Sequence, residues 1–581
     1  MKIKNKVFNK YIFQRSIPVI SILVMVYLMI QYQLANHVTL LTSDRWIHFY
    51  RFYEDAMQIK TGNFSYFQSN YAFFQSGRIF NVLYGPLFAY LNGLLILLTG
   101  TWYRYSVLMT FLVLLIGGLG MYKLLRKVKV NTIISLFLTL IYLQVGSMPG
   151  ILRFNFMALG SMLAPYVMIQ AVNMINDPKK PIHWLNLGII MAIVAQVHLL
   201  STVILTVTLI PFAVYGFIKT HAKKDMVIDL GKAIGIAAVL TANIWGSFIV
   251  LYSKNKLALP NPYHMASKTF RLMKMNATYK NAWSNYGVVG LVAILMLAQV
   301  IFVIVKRKQS SISTFSTWVS VVFFVISSQL VPWAKIQVAF PRLSQNFQFP
   351  YRLLVGAWPL MIMSIGITLT YFFSLKEKPF KEIIIVLLGL VTAQAVIPVV
   401  INNYKMTSYW ANPTRKKVRA DNYKEVAHSR ASIQKTMNTS YSGKLFKEIY
   451  HIEPDYLPIK KRANNSLYQK DVVKKSKKFH HRVEGSKLIL TWKGKKNTRK
   501  VLPLITYKQS QLVVNGKKLK KIHTNSINLP IVKSHKGKNT AVLSFKSPIW
   551  FWILLWITIL SWCGVVVIKI MNYRKKKLDF N

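Results

Sequence analysis

An apolar run from Ile17 to Ala35 is followed by eleven others of similar character, and this repetition constrains the chain more than any motif within it. About 20 apolar residues in a helix span the roughly 30 Å hydrocarbon layer of a bilayer, and no soluble domain has an interior able to bury a dozen such runs. The pattern predicts spans at 17–35, 82–100, 107–122, 132–149, 155–176, 185–218, 233–252, 286–305, 316–334, 353–374, 382–401 and 549–570. The expected fold class is therefore a polytopic α-helical membrane protein of about twelve spans, or thirteen if 185–218 divides near His198 and Ser201. At about 1.5 Å per residue that segment is long for one helix and short for two full crossings. Composition agrees: 53% of the 581 residues are apolar, 13% aromatic and 16% charged, which excludes both a soluble enzyme and a disordered chain. The single Cys563 excludes an internal disulfide and a cysteine-cluster metal site.

Charge sets the expected orientation. Lys2, Lys4, Lys6, Lys10 and Arg15 precede the first span without a small-residue cleavage site after it, so the segment reads as an uncleaved anchor with a cytoplasmic N-terminus. Lys306-Arg307-Lys308, the Lys376 to Lys381 segment and Arg574-Lys575-Lys576-Lys577 fall on the same side, which makes both termini cytoplasmic. The early half fits less well, because strict alternation puts the basic loops 123–129 and 177–184 outside. The resulting division is a tail and first span at 1–36, a first outer loop with interfacial helices at 37–81, a multispan region at 82–401, a basic extracytoplasmic domain at 402–548, and a last span with its tail at 549–581.

Residues 402–548 form the one loop long enough to fold alone. From 484 onward short β-rich pieces recur at Leu488–Trp492, Val501–Tyr507, Gln511–Val514, Ile527–Val532 and Ala541–Phe545. Asn515-Gly516 reads as a hairpin turn, since both residues tolerate positive φ. The expectation is a small α+β domain ending in a β-sandwich. The segment holds 34 Lys/Arg against 7 Asp/Glu, a net of +27, within a chain of +59. The plain reading is a solvated basic surface. The sharper one is a polyanionic neighbourhood, either anionic lipid or a phosphate-rich envelope polymer, with nucleic acid excluded outside the cell.

Acids are scarce, sixteen in all, so their placement is informative. Asp44, Glu54 and Asp55 lie just outside the first span. In helical register Asp44, His48, Arg51 and Asp55 recur at i, i+4, i+7 and i+11, with Trp46, Phe49, Tyr50, Tyr53 and Met57 on the complementary face. This predicts an amphipathic helix at the membrane interface, its aromatic side toward lipid or neighbouring spans. Asp44 as a mere helix cap with local ion pairs is the competing reading. A convergent acid, imidazole and guanidinium at the headgroup layer otherwise suits glycosyl or phosphoryl transfer: the carboxylate takes a proton from a hydroxyl, and the guanidinium holds a phosphate. Arg352 and Gln348, where an outer loop re-enters the membrane beside Pro350, form a second candidate, with Arg342 and Lys335 in the same loop and Arg78 before the second span. His198, inside a long apolar run, is a candidate by its position alone. Trp550, Trp552 and Trp556 read as an aromatic belt.

Asp44-x-x-x-His48-x-x-Arg51, Gly62-Asn63-Phe64 and Tyr84-Gly85-Pro86-Leu87-Phe88-Ala89-Tyr90-Leu91 resemble the N-terminal signature of GT-C-type membrane glycosyltransferases. The flavour is that of bacterial YfhO-like and 6-pyruvoyl-tetrahydropterin synthase-related membrane proteins. Gln196-Val197-His198-Leu199-Leu200-Ser201, Gln348-Phe349-Pro350-Tyr351-Arg352, Asp455-Tyr456-Leu457-Pro458 and Val513-Val514-Asn515-Gly516-Lys517 extend the resemblance over residues 40 to 520. It implies a GT-C fold using a polyprenyl-phosphate-linked sugar as donor. Asp44 would be the catalytic base, and His48, Arg51, Arg78, Arg342 and Arg352 would serve the donor phosphate, with Asp55, Glu54, His198 and Gln348 as secondary candidates. A second outer-loop Asp-x-Asp is missing, so no metal or other cofactor is expected; pterin chemistry is rejected for want of a soluble domain with a histidine cluster. The implied activity is inverting sugar transfer to an envelope acceptor on the outer face: a teichoic-type polymer, a glycolipid or a surface protein. A transporter or flippase, which would need ionisable groups through the depth of several spans, and a non-catalytic accessory subunit for envelope polymer assembly are the alternatives.

Overall fold

The computed structural model describes the chain except for residues 1, 42, 154, 272–289, 307–308, 376, 413–422, 426–428, 442, 461–464 and 579–581; for 2–15, 43–44, 423–425, 465 and 575–578 it describes the backbone only. Arg307, Lys308, Lys376, Asp579 and the start of the 286–305 segment thus lie outside the described residues, as do the side chains of Lys575, Lys576 and Lys577.

The first eight helices are α1 (Lys2–Asn36), α2 (Ser43–Thr61), α3 (Pro86–Thr99), α4 (Trp102–Lys127), α5 (Thr132–Tyr142), α6 (Met157–Asn176), α7 (Trp184–Val197) and α8 (Leu199–Lys219). The described parts of the twelve apolar segments fall largely on helix. Among the described residues seven helices are long and apolar enough to cross a membrane, or eight if the pair Lys223–Leu240 and Ala242–Tyr252, bent by 66°, is one broken span. Five further apolar helices are shorter. Twelve spans are not confirmed, because several apolar runs form helices shorter than a full crossing. The 132–149 run is 11 residues of α5, rising only about 16 Å, followed by a 3-10 turn at Met148–Arg153. The 185–218 run divides at His198, whose backbone is extended (φ −154°, ψ 93°) and whose Nδ1 caps α8 by accepting the Ser201 N–H. The apolar helices make this an integral membrane protein. Met157–Asn176 and Pro350–Leu375 form its centre, whereas Ile549–Arg574 has only 17% of its apolar window buried and leaves Trp550, Trp552 and Trp556 partly exposed, as an aromatic belt requires.

Of the two neighbours expected for the aromatic face of α2, lipid or adjoining spans, the structure gives protein. Trp46, Phe49, Tyr50 and Phe52 are buried, and so are Arg45, His48, Arg51, Glu54, Asp55 and Gln58. A helix enclosed on every side belongs to a core. Phe49 stacks on Trp102 at 4.5 Å and Tyr50 on Phe446 at 4.1 Å, so the aromatic face meets α4 and the 402–548 segment instead of acyl chains.

One glycine fixes how α3 meets α7. Gly85 has φ +77°, and a Cβ there would lie 1.9 Å from the carbonyl oxygen of Gln196. The backbone can approach that closely only without a side chain. Gly85→Ala is expected to drive these elements apart and sharply reduce the monodisperse protein recovered after detergent extraction, while Gly62→Ala, with open space around it, should show only the smaller cost of its own positive φ.

The 402–548 segment carries strands β1 (Tyr423–Glu425), β2 (Ile449–His451), β3 (His480–Glu484), β4 (Lys487–Gly494), β5 (Thr498–Val501), β6 (Ser510–Val514), β7 (Lys517–Lys518), β8 (Ile531–Ser534) and β9 (Gly537–Phe545). β3-β4-β9-β6-β7 form an antiparallel sheet, while β5-β8 and β1-β2 form separate pairs. Leu488, Leu490, Trp492, Leu512 and Leu543 of the large sheet share a core with Leu502, Leu504 and Val532. Asn515 and Gly516, at φ 48° and 79°, turn β6 into β7 as their tolerance of positive φ requires. This region is docked as well as tethered. Ile505 donates its N–H to Ser76 O at 2.7 Å, and the Ile79 N–H donates to the Tyr507 hydroxyl at 3.0 Å, binding it to the loop before α3.

Candidate functional site

Glycosyl or phosphoryl chemistry at a lipid headgroup needs a chamber beside the span ends that gathers a cation for phosphate and a base for a hydroxyl. A cavity of about 340 Å³ collects such groups. Its walls include Ile47 and His48 of α2, Tyr84 before α3, His198 at the α7–α8 break, Gln348 and Arg352 of the re-entry segment, and His451, Glu453, Asp455 and Tyr456 after β2.

His48 and His198 present the same tautomer. Arg51 Nη1, a pure donor, lies 3.0 Å from His48 Nδ1, so that nitrogen accepts and Nε2 carries the proton. His198 Nδ1 accepts from the Ser201 N–H at 3.3 Å and lies 2.7 Å from its hydroxyl, again leaving the proton on Nε2. The His48 ring stacks on Phe156 at 3.5 Å. Burial, then the Arg51 charge, then His198, hold the His48 pKa well below its ordinary value, so it is a neutral hydrogen-bond donor. Arg352 is half-buried, stacked on Phe349 at 4.5 Å, and donates to Phe347 O at 2.8 Å and Gln348 Oε1 at 3.0 Å. Gln348 adopts φ +64°, and this turn brings its amide back to the guanidinium.

Asp44 falls in the first turn of α2, four residues before His48, but its side chain lies outside the described residues. The remaining candidates are placed away from the cavity. Arg51 donates to Asn81 Oδ1 (2.9 Å), Tyr84 O (2.8 Å) and His48, and does not line the chamber. Burial pulls its pKa down to about 10, against the opposing pull of Asp55. Its role is to orient His48 and the Tyr84 turn. Arg78, fully buried, donates to the backbone carbonyls of Glu453 (3.0 Å) and Asp455 and to the Tyr468 hydroxyl (3.3 Å); it organises the wall instead of reaching into the chamber. Arg342 is exposed and outside the lining, although its neighbours Gln345 and Asn346 belong to it. Glu54 accepts the N–H groups of Asn70, Tyr71 and Ala72 and the Gln58 amide, within 2.7–3.0 Å, which spends a buried carboxylate on holding a loop. Both Asp55 oxygens accept from Asn81 Nδ2, at 2.8 and 2.7 Å, and burial raises its pKa well above the usual carboxylate value.

The group that sequence reasoning missed is the trio His451, Glu453 and Asp455, whose potential ligand atoms all lie within 4.8 Å of one another. The signal was available: alternation at i, i+2, i+4 in an extended segment puts the three side chains on one face, in a region with seven acids among 147 residues. Asn261 Nδ2 donates to Glu453 Oε1 at 3.0 Å. Burial, followed by the neighbouring Asp455, raises the Glu453 pKa; burial also raises Asp455, against the pull of Arg78.

No family model matches the chain, and neither does any curated protein. Among solved structures it is similar to the oligosaccharyltransferase of Archaeoglobus fulgidus in its apo form, at 15% identity and a TM-score of 0.40, with 70% of this chain and 57% of that one covered. A second is the archaeal oligosaccharyltransferase AglB from the same organism, in complex with an inhibitory peptide and a dolichol-phosphate, at 15% identity and a TM-score of 0.41, with 69% and 56% covered. The chain spans little more than half the length of these relatives.

Proposed function

We propose that this protein transfers a sugar from a polyprenyl-phosphate carrier to an envelope acceptor on the outer face of a cell membrane, with both termini in the cytoplasm. The observation that carries the reading is the chamber itself. One guanidinium, two neutral imidazoles with protonated Nε2 atoms and a pair of carboxyl groups line a single cavity bounded by the broken α7–α8 helix pair and the 402–548 segment. Arg352, with Gln348, serves the donor phosphate; His48 and His198 supply neutral donors to its oxygens or to sugar hydroxyls. Asp44 is the general base, one helical turn before His48. The resemblance of the Asp44, Tyr84-Gly85-Pro86, Gln196 to Ser201 and Gln348 to Arg352 motifs to GT-C transferases points the same way, since three of these segments contribute lining residues.

The acceptor reading rests on a second cavity, of about 870 Å³. Lys444, Lys447, Lys474, Lys477 and His480 line it with Tyr53 and Tyr71, and no acid is among its described lining residues. Such a wall suits a phosphate-rich polymer whose sugar units lie on aromatic rings.

The test is to give purified full-length protein a panel of polyprenyl-phosphate hexoses together with an envelope polymer whose hydroxyls can accept the sugar, and to follow release of the free polyprenyl phosphate with the gain of hexose by the polymer. Donor-dependent release is expected, and Arg352→Gln, which removes one charged hydrogen-bonding partner worth about 1.5–3 kcal/mol, should raise the donor KM by roughly 10-fold or more. If no donor is consumed while proteoliposomes move a labelled polyprenyl-phosphate hexose between leaflets, the flippase alternative replaces this reading.

A further inference from the structure

Two buried carboxyl groups placed together repel unless something positive or a proton lies between them. Glu453 and Asp455 are 7% and 9% exposed, and among the described residues no Lys or Arg pairs with either carboxylate. The nearest buried cation, Arg78, spends its guanidinium on their backbone carbonyls instead. That grip fixes the backbone of the 453–455 segment, and Asn261 fixes one Glu453 oxygen. Beside the pair stands His451, 2% exposed, with Nδ1 buried and without a hydrogen-bond partner. All three side chains line the cavity that Arg352, His48 and His198 also line. A buried imidazole with one nitrogen lacking a hydrogen-bond partner thus stands beside two buried carboxyl groups that lack an ion-pair partner among the described residues.

We infer that His451, Glu453 and Asp455 bind one divalent cation in the wall of this cavity. A neutral imidazole and two carboxylates supply two negative charges to a dication. Ligand atoms on a common ion with bonds of about 2.0–2.2 Å stand about 3–3.6 Å apart in cis octahedral or tetrahedral positions, so a trio whose atoms lie within 4.8 Å of one another needs side-chain adjustments of no more than about 2 Å to close on one ion. One nitrogen and two oxygen donors suit a Mn²⁺- or Zn²⁺-class ion better than Ca²⁺, which prefers six to eight oxygens. The inference rests on the proposed transferase reading only for what the ion would do there: it would share a chamber with Arg352, so that two positive centres could face one phosphate group. Binding itself requires no substrate, and the two readings can therefore fail separately.

The full-length protein, stripped with chelator in detergent, is titrated with Mn²⁺ while the free-ion electron paramagnetic resonance signal is followed. One Mn²⁺ per chain is expected, with affinity weakened about 10-fold or more in Glu453→Gln and in Asp455→Asn. Pulsed measurements on the bound ion in the unaltered protein should show coupling to the imidazole nitrogen of His451. That readout stands even if a variant fails to fold. A proton shared by the two carboxyl groups is the rival arrangement, and it predicts no stoichiometric uptake. Absence of uptake, bound Mn²⁺ without nitrogen coupling, or unchanged affinity in both folded variants would each overturn the inference.

Discussion

Asp44→Asn is expected to lower the proposed sugar transfer by about 10²-fold or more, the ordinary cost of losing a general base, with the donor KM little changed. The substitution keeps the size of the side chain, and it retains an oxygen able to cap the first turn of α2. If Asp44 were merely a cap, activity would survive the exchange. The geometry gives the prediction a rival. Among the described residues Glu453 and Asp455 are the carboxyl groups whose side chains line the chamber, and either could take a proton from a hydroxyl bound there. The three single variants separate the cases. Loss confined to Asp44→Asn assigns proton abstraction to α2. Full activity in Asp44→Asn with loss in Glu453→Gln or Asp455→Asn that excess Mn²⁺ does not restore moves proton abstraction to the 453–455 segment, whereas loss that Mn²⁺ restores belongs to the cation site. Measured donor KM matters as much as turnover, because a lost base reduces kcat while a lost phosphate contact raises KM.

What the sequence allowed, and what it withheld, follows from the range of the interactions concerned. The Asn515-Gly516 turn depends on the φ preferences of two adjacent residues, and the α7–α8 break on a cap three residues long, His198 to Ser201. Both are legible because cause and effect sit in one short segment. The arginines are different. Arg78 before a span, Arg51 on a helix face and Arg342 in a re-entry loop look alike as candidate phosphate ligands. Their fates are set by partners far along the chain, 375 residues away for Arg78 and Glu453, and 30 and 33 for Arg51 with Asn81 and Tyr84. A guanidinium that holds distant backbone carbonyls, as Arg78 does, and one that lines a cavity, as Arg352 does, look alike in local sequence. The environment of α2 was hidden for a related reason. Its aromatic face predicts an apolar neighbour, but periodicity does not distinguish acyl chains from Trp102 and Phe446. Span number is not fixed by hydropathy, which reports where apolar residues lie and not where the helix stops, as at the 3-10 turn after α5.

Arg78→Met should destabilise the protein by about 3–5 kcal/mol, the range for breaking a buried charged network on one side, and should do so without passing through donor binding. Methionine preserves much of the volume between Phe73, Phe80 and Tyr468, whose ring centroids lie 5.1, 5.2 and 5.4 Å from the guanidinium carbon. It supplies no donors, so the carbonyls of Glu453 and Asp455 would lose the partner that holds them, each at a cost of about 1–3 kcal/mol when left buried and unpaired. Arg78→Lys retains the charge but not the planar fork that reaches both carbonyls at once, and is expected to recover only part of the loss. The readout is the temperature at which detergent-solubilised protein leaves its monodisperse peak, with a fall of several degrees or more for Arg78→Met and a smaller one for Arg78→Lys. A direct phosphate ligand predicts the opposite pattern, an unchanged melting temperature with a raised donor KM. Because the guanidinium holds the backbone on which Glu453 and Asp455 stand, the same variant should weaken Mn²⁺ uptake even where it remains folded, and that joint loss distinguishes an organiser of the cavity wall from a residue that merely fills space.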